Sequence, residues 1–209
     1  MKILAIESSG PEGSVAVLED NSLTGSWSFS SPRGRGGGLF PALEAAFTKC
    51  GAPDTVVVGT GPGGYNGLRA SAAAAWGISK VHGSQLVGVP SLLGYEAPEY
   101  FVAGDARGGQ WFLARVADSR FLLEPALVFP DEAEKILIPG IPVFTPGGML
   151  AGIQGGICAP PQARLLALRT AAFGEAVPIY LKPPHITKPA SSQMGLLKEA
   201  HREASQPPV

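Results

Sequence analysis

Hydrophobic and polar positions along the first half of the chain switch between the period of strands and the period of helices. Apolar runs separated by Ser, Gly, Asn and Asp indicate strands, and apolar residues three and four positions apart indicate helices. This pattern predicts three strands at 2–6, 14–18 and 23–29, a helix at 39–50, a strand at 55–58, a helix at 68–81 and a strand at 85–89.

The second half begins with the same pattern. It predicts a strand, tight turn and strand over 101–116, a strand at 121–128, a helix at 131–136, and then a strand at 141–144, a helix at 162–173 and a strand at 178–181. Both halves end their first strand at an acid, Glu7 and Asp105. We therefore predict a degenerate repeat, with one half at 1–98 and a smaller half at 99–190. A last helix at 191–204 is expected to join the first half.

A glycine-rich turn lies between the predicted strand 55–58 and the helix 68–81. Five glycines fall between Gly59 and Gly67, and glycine allows close approach of the backbone to another group. A helix that begins there also points free N–H groups at that group, so the turn suits either an anion or tight packing. Gly59 to Gly64 matches the dinucleotide pattern G-x-G-x-x-G, but no acid follows the next strand to hold a ribose. A dinucleotide enzyme is therefore disfavoured.

Two further turns have the composition of ligand-binding turns, at residues 7–14 and 105–109. Paired turns of this kind hold phosphates in actin-like ATPases and sugar kinases, and the turn 146–148 lies where those proteins contact adenosine. Ordinary hairpin turns need the same residue types, so both interpretations stay open. The residues predicted to lie near a nucleotide are Glu7, Ser8, Gly61, Gly63, Gly64, Asp105, Gly147 and Gly148.

The predicted helix 68–81 is small or apolar on almost every side. A helix without a polar face is normally covered on both sides, and its own sheet covers only one. The other side needs the helix 39–50, a second chain, or both. The residues predicted to bind a partner are Leu39, Leu43, Phe47, Ala70, Ala73, Ala74 and Ile78.

Composition limits the remaining function classes. Charged residues make up 16% of the 209 residues and the net charge is −1, so strong unaided nucleic-acid binding is not expected. Cys50 and Cys158 are expected to be reduced, buried thiols. The three histidines are far apart in the sequence, and no metal site or catalytic triad is predicted. The N-terminus does not have the pattern of a signal peptide and no apolar run is long enough to cross a membrane, so a cytoplasmic protein is expected.

Several segments in order resemble one family. They are MKILAIESS at the N-terminus, GPGGYNGLR at 61–69, GVPSL at 88–92, DAR at 105–107 and PIYL at 178–181. Together they resemble the bacterial TsaB (YeaZ) family, which takes part in making threonylcarbamoyladenosine at position 37 of tRNA. Three departures are Glu7 in place of the family's usual Asp, a loop 31–38 without His-Ser, and a short second half.

The resemblance implies an α/β protein of the actin-like (ASKHA) fold, with two ribonuclease-H-like halves. It implies a non-catalytic subunit that pairs with a TsaD-like catalytic subunit, acts with a TsaE-like ATPase, meets tRNA through the complex and forms a homodimer when alone. ATP and Mg²⁺ are expected for the complex, with no cofactor held tightly by this chain. The catalytic relatives carry a metal-binding His-x-x-x-His, and the stretch 33–40 here has no histidine. The alternative is an actin-like ATPase or small-molecule kinase using Glu7 and Asp105.

Overall fold

The computed structural model of the chain describes residues 1–30 and 37–183. Most of the predicted loop 31–38 and the whole predicted helix 191–204 lie outside the described residues. The described strands are β1 (Lys2–Glu7), β2 (Glu12–Glu19), β3 (Ser22–Ser30), β4 (Thr55–Gly59), β5 (Gln85–Val89), β6 (Glu99–Asp105), β7 (Trp111–Ala117), β8 (Arg120–Val128) and β9 (Val143–Phe144). The helices are α1 (Leu39–Cys50), α2 (Tyr65–His82), α3 (Pro130–Ile136) and α4 (Ala163–Leu168).

Five strands of the first half form one mixed sheet in the order β3-β2-β1-β4-β5. β1, β2 and β3 pair antiparallel through tight turns, whereas β4 and β5 run parallel to β1. Parallel neighbours need a crossover connection, and α1 and α2 provide it. The carboxyl ends of β1, β4 and β5 therefore meet at one edge of this sheet.

The second sheet repeats that order as β8-β7-β6-β9. β6, β7 and β8 pair antiparallel, and β9 runs parallel to β6. Thus β6 occupies the place of β1, and Asp105 ends β6 as Glu7 ends β1. The internal repeat predicted from the sequence is visible in this shared strand order.

Three hydrophobic cores hold the layers together. One lies between α1, α2 and the outer face of the first sheet, with Leu39, Leu43 and Ala75 among its buried members. A second joins the inner faces of the two sheets and α4, and it includes Tyr95 and Tyr100. The third lies beneath α3 on the far side of the second sheet. The two helices α1 and α2 thus form an outside layer of the molecule.

Three predicted elements of the second half differ from the structure. The helix expected at 162–173 ends at Leu168, because the backbone leaves the helical conformation at Arg169, whose guanidinium donates to the carbonyl oxygens of Leu93 and Tyr95. The strand expected at 178–181 is not a strand, since this segment crosses strand ends and makes a single backbone bond to Thr60. The strand expected at 141–144 is reduced to Val143–Phe144.

Two other observations bear on the composition arguments. Cys50 and Cys158 are free cysteines, but neither is buried as expected, because Cys50 is half-buried and Cys158 is exposed. Among the helices that the structure describes, none has the length and hydropathy needed to cross a membrane.

Two buried tyrosines in the central core provide a matched test of hydrogen bonding. The Tyr100 hydroxyl donates to the carbonyl oxygen of Leu92 at 3.0 Å, whereas the Tyr95 hydroxyl has no partner among the described residues. We expect Tyr100→Phe to lower the free energy of unfolding by about 1–2 kcal/mol, because it leaves a buried carbonyl unpaired. Tyr95→Phe should leave it unchanged or raise it. Urea denaturation measures both, and a larger loss for Tyr95→Phe contradicts this assignment.

Candidate functional site

The glycine-rich turn packs directly on the turn that joins β1 to β2. The Gly64 N–H donates to the Ser9 carbonyl oxygen at 2.7 Å, and the Ser8 hydroxyl donates to the Gly67 carbonyl oxygen at 2.9 Å. A Cβ on Gly63 would overlap the Ser9 carbonyl oxygen, and a Cβ on Gly67 would overlap that of Ser8. Of the two interpretations left open by the sequence, tight packing therefore accounts for these glycines.

Ser91 holds the start of the same turn. Its hydroxyl accepts a hydrogen bond from the Gly61 N–H at 2.9 Å, and its own N–H donates to the Gly61 carbonyl oxygen at 2.9 Å. Gly61 has a φ of 89°, a conformation that residues with a side chain rarely adopt. The turn is thus fixed from both sides, by β1–β2 and by the residues after β5.

Glu7 lies inside the protein at the carboxyl end of β1 and is 0% exposed. Its Oε1 accepts from the Ser9 N–H at 2.6 Å, while its Oε2 lies against Gly59 and has no hydrogen-bond partner among the described residues. Burial raises the pKa of Glu7, and the neighbouring serines, Ser9 first and then Ser91 and Ser8, oppose that rise only in part. Burial therefore favours the neutral form of this carboxyl more than exposure to solvent would.

The corresponding turn of the second half is exposed. Asp105 Oδ1 accepts from the Arg107 N–H at 2.7 Å, and the Ala106 N–H donates to the Gln110 carbonyl oxygen. Arg107, Gly108 and Gly109 all have positive φ. This is the geometry of a tight hairpin turn closed by its own aspartate, so the two acids that the sequence matched to each other lie in opposite environments.

The third predicted turn contains Gly147 and Gly148. The Pro146 carbonyl oxygen that precedes it lies 3.4 Å from the position of a Cβ on Gly10, in the β1–β2 turn. The space around a Cβ on either Gly147 or Gly148 is open. The structure thus brings the 146–148 turn near the β1–β2 turn.

The segment 174–182 links the two halves at this end of the molecule. Gly174 pairs with Gly88 on the free edge of β5, and the Ile179 N–H donates to the Thr60 carbonyl oxygen at 2.7 Å. Lys182 Nζ then donates to the Arg107 carbonyl oxygen at 2.7 Å. The segment therefore runs from the edge of the first sheet to the turn of the second.

Two open grooves of about 630 and 670 Å³ lie elsewhere on the described part of the chain. The first runs along β3 beside residues 160–164, and the second lies between the start of β8 and the residues after α4. Neither is lined by a residue predicted to lie near a nucleotide or a partner.

Residues 39–114 match the family model of TsaD, the tRNA N6-adenosine threonylcarbamoyltransferase. YeaZ from Pseudomonas aeruginosa is 20% identical and superimposes with a TM-score of 0.66 over 86% of this chain and 99% of its own. A second structure, an uncharacterized protein with similarity to the peptidase YeaZ from Pseudomonas aeruginosa, is 20% identical with a TM-score of 0.68 over 87% of this chain and 99% of that one. The resemblance to YeaZ is confirmed at the level of the fold. No curated protein sequence matches the chain.

The two sheets agree with the fold that this chain shares with the YeaZ structures. The predicted actin-like α/β fold is confirmed, with a mixed sheet in each half. The TsaD-like segment begins at the first residue of α1 and ends within β7. It therefore contains both helices of the outer layer and the whole glycine-rich turn.

The predicted partner-binding residues fall into two groups that differ in burial within the layer formed by α1 and α2. Leu39 and Leu43 are buried in the core against the first sheet, so they support the surface and do not form it. Phe47, Ala70, Ala74 and Ile78 are half-buried, and Ala73 is exposed. The sequence pattern alone did not identify Phe40 and Trp76, which are 63% and 59% exposed on α1 and α2.

Two glycines of α2 give a matched test of the packing at the turn. Gly67→Ala should lower the free energy of unfolding by about 2 kcal/mol, because its Cβ meets a backbone oxygen that cannot move aside. Gly77→Ala should raise it by about 0.5–1 kcal/mol, because its Cβ meets open space and alanine favours the helix. Urea denaturation compares the two, and equal stabilities would refute the packing role of Gly67.

The buried carboxyl predicts a pH dependence. Folding raises the pKa of Glu7 above its ordinary value of 4.5. As the pH rises above 4.5, the folded state therefore binds more protons than the unfolded state does. The unfolding free energy of the natural chain, minus that of Glu7→Gln, should therefore fall with rising pH, by at most about 1.4 kcal/mol per pH unit. Parallel urea titrations from pH 4.5 to 8 test this. A difference that is constant or rises with pH contradicts it.

Proposed function

We propose that this chain is a non-catalytic accessory subunit of the complex that installs threonylcarbamoyl on adenosine 37 of tRNA. In this proposal it pairs with a TsaD-like catalytic subunit, and the chemistry takes place on that subunit. A TsaE-like ATPase, with ATP and Mg²⁺, belongs to the complex. The observation that carries the proposal is the exposed apolar surface of α1 and α2, together with the TsaD-like character of the segment that forms it.

That surface, here called the helix surface, consists of Phe40 on α1 and of Ala73, Trp76 and Gly77 on α2. Both aromatic side chains are more than half exposed on the same helix layer, and exposed apolar residues that gather on one surface are typical of interaction sites. A Cβ on Gly77 would meet open space, so a partner helix can approach the backbone of α2 closely there. Aromatic anchors beside small residues suit a helix-to-helix interface.

The position of Glu7 supports an accessory role over an ATPase or kinase. An acid that holds Mg²⁺ beside phosphates must present its oxygens to the ligand as an anion. Here both oxygens of Glu7 face the interior and burial favours the neutral acid. In the first half, the turn that would hold phosphates in an ATPase thus packs against the glycine-rich turn instead.

Ala73→Arg tests the pairing. An arginine at this exposed position should leave the fold and melting temperature of the chain unchanged. In the complex, however, it buries an unpaired charge that costs several kcal/mol, so affinity for the TsaD-like subunit should fall at least about 100-fold. Calorimetry and light scattering of the mixed subunits measure this. The same interface in the chain alone predicts that Ala73→Arg also converts a homodimer to a monomer.

Ala151→Arg is the matched control, because Ala151 is an exposed alanine in a turn of the second half. It should pair normally and support tRNA modification by the reconstituted complex. If Ala73→Arg binds the TsaD-like subunit as tightly as Ala151→Arg does, the helix surface is not the interface.

A further inference from the structure

A line of aromatic and cationic side chains crosses the molecule at the end where the two hairpin turns lie. Arg69 lies over the Tyr65 ring at 5.1 Å and donates to its hydroxyl at 2.7 Å. The Tyr65 and Tyr180 rings lie 5.1 Å apart with a tilt of 39°. Two residues on, Lys182 contacts the carbonyl oxygen of Arg107. We call Arg69, Tyr65, Tyr180, Lys182 and Arg107 the tyrosine ridge.

The ridge is cationic, and all of its residues are exposed except Lys182, which is half-buried. None of the ion pairs within residues 1–30 and 37–183 involves Arg69, Arg107 or Lys182. Asp105 lies beside the ridge, and its Oδ1 accepts from the Arg107 backbone N–H. Tyr65 and Tyr180 each keep more than two fifths of their surface exposed. Three cations that form no ion pair within the described part of the chain are complementary to an anion with several charges.

The combination of exposed rings and cations narrows the class of ligand. Aromatic faces stack with bases whatever their sequence, and cations beside them bind the phosphates between the bases. A single nucleotide needs only one ring and one or two cations. Here the residues follow one another from α2 in the first half to the turn of the second, so their arrangement fits a strand with successive bases and phosphates.

We propose that the tyrosine ridge binds a single-stranded segment of RNA, with bases stacked on Tyr65 and Tyr180 and phosphates bound by Arg69, Lys182 and Arg107. This inference rests on the proposed function, since it assigns the RNA contact of the complex to a surface of this chain. The ridge is small and the net charge of the chain is −1. We therefore expect the chain alone to bind RNA weakly and the complex to bind it strongly.

The position of the ridge relative to the helix surface supports the assignment. Tyr65, Arg69, Ala73 and Trp76 are exposed on one side of α2, because residues four, eight and eleven positions apart share a helix face. The ridge therefore begins where the helix surface ends. A strand bound there lies beside the TsaD-like subunit and in reach of both proteins.

Two variants distant from the helix surface test the ridge. Tyr180→Leu removes a stacking ring and should weaken RNA binding about tenfold, within the range for one stacked base. Lys182→Gln removes one phosphate contact and should reduce the slope of log affinity against log salt by about 0.7. Their matched controls in the second half are Phe129→Leu, which removes another exposed aromatic, and Lys135→Gln on α3. Neither control should change either quantity.

The probe is a synthetic RNA hairpin of an anticodon stem and loop, labelled with fluorescein and titrated with the full chain alone and with the preformed complex. A fully paired RNA duplex and Mg²⁺-ATP serve as competitors, and neither should displace the hairpin. Unchanged affinity and salt slope in both ridge variants overturn the inference, as do equal effects of the controls or displacement by ATP.

Light scattering of the same samples separates this inference from the proposed function. If no complex forms, the proposed pairing is wrong, and the titration of the chain alone then decides whether the ridge binds RNA. If the complex forms and the ridge variants bind RNA normally, the pairing stands and the ridge inference fails.

Discussion

The close packing of two turns determines the rest of this structure. The carbonyl oxygens of Ser8 and Ser9 lie where side chains on Gly67 and Gly63 would have to be, and the Ser8 hydroxyl and the Gly64 N–H tie the two turns together. This contact fixes the start of α2 against β1. Because α2 is held from that end with Leu68 and Ala75 in the core, its opposite face is left outward, and the exposed apolar surface follows from the packing of the glycines.

Much of the fold could be predicted, because the spacing of hydrophobic residues and the turn residues between them determine local structure. The bounds of α1 and β5 were predicted to the residue, and the repeat was visible in the matching positions of Glu7 and Asp105. The predictions failed where long-range contacts decide the outcome. Arg169 ends α4 through carbonyl groups more than seventy residues away. The segment 178–181 has the composition of a strand but does not pair as one within the described residues.

For the residues of the candidate surface, too, the sequence predicted local structure but not the long-range contacts. The small residues of α2 indicated a helix that is covered on two sides. Because nearly all its residues are small or apolar, their spacing does not tell which side faces the core. Leu39 and Leu43 are the side chains that attach α1 to the sheet, whereas Phe40, between them, is exposed. Similarly, Tyr65 and Tyr180 are far apart in the sequence, and only the path of the segment 174–182 brings their rings together.

The central claim is that the outward face of α1 and α2 is covered by a TsaD-like subunit in the working complex. Hydroxyl-radical footprinting read residue by residue tests it directly, at concentrations where the chain alone is a monomer. Phe40 and Trp76 should be oxidised in the free chain and protected in the complex, while Leu122 and Met149, which are equally exposed on the second half, should stay reactive in both. Phe40 and Trp76 that react as fast in the complex as in the free chain would contradict the account.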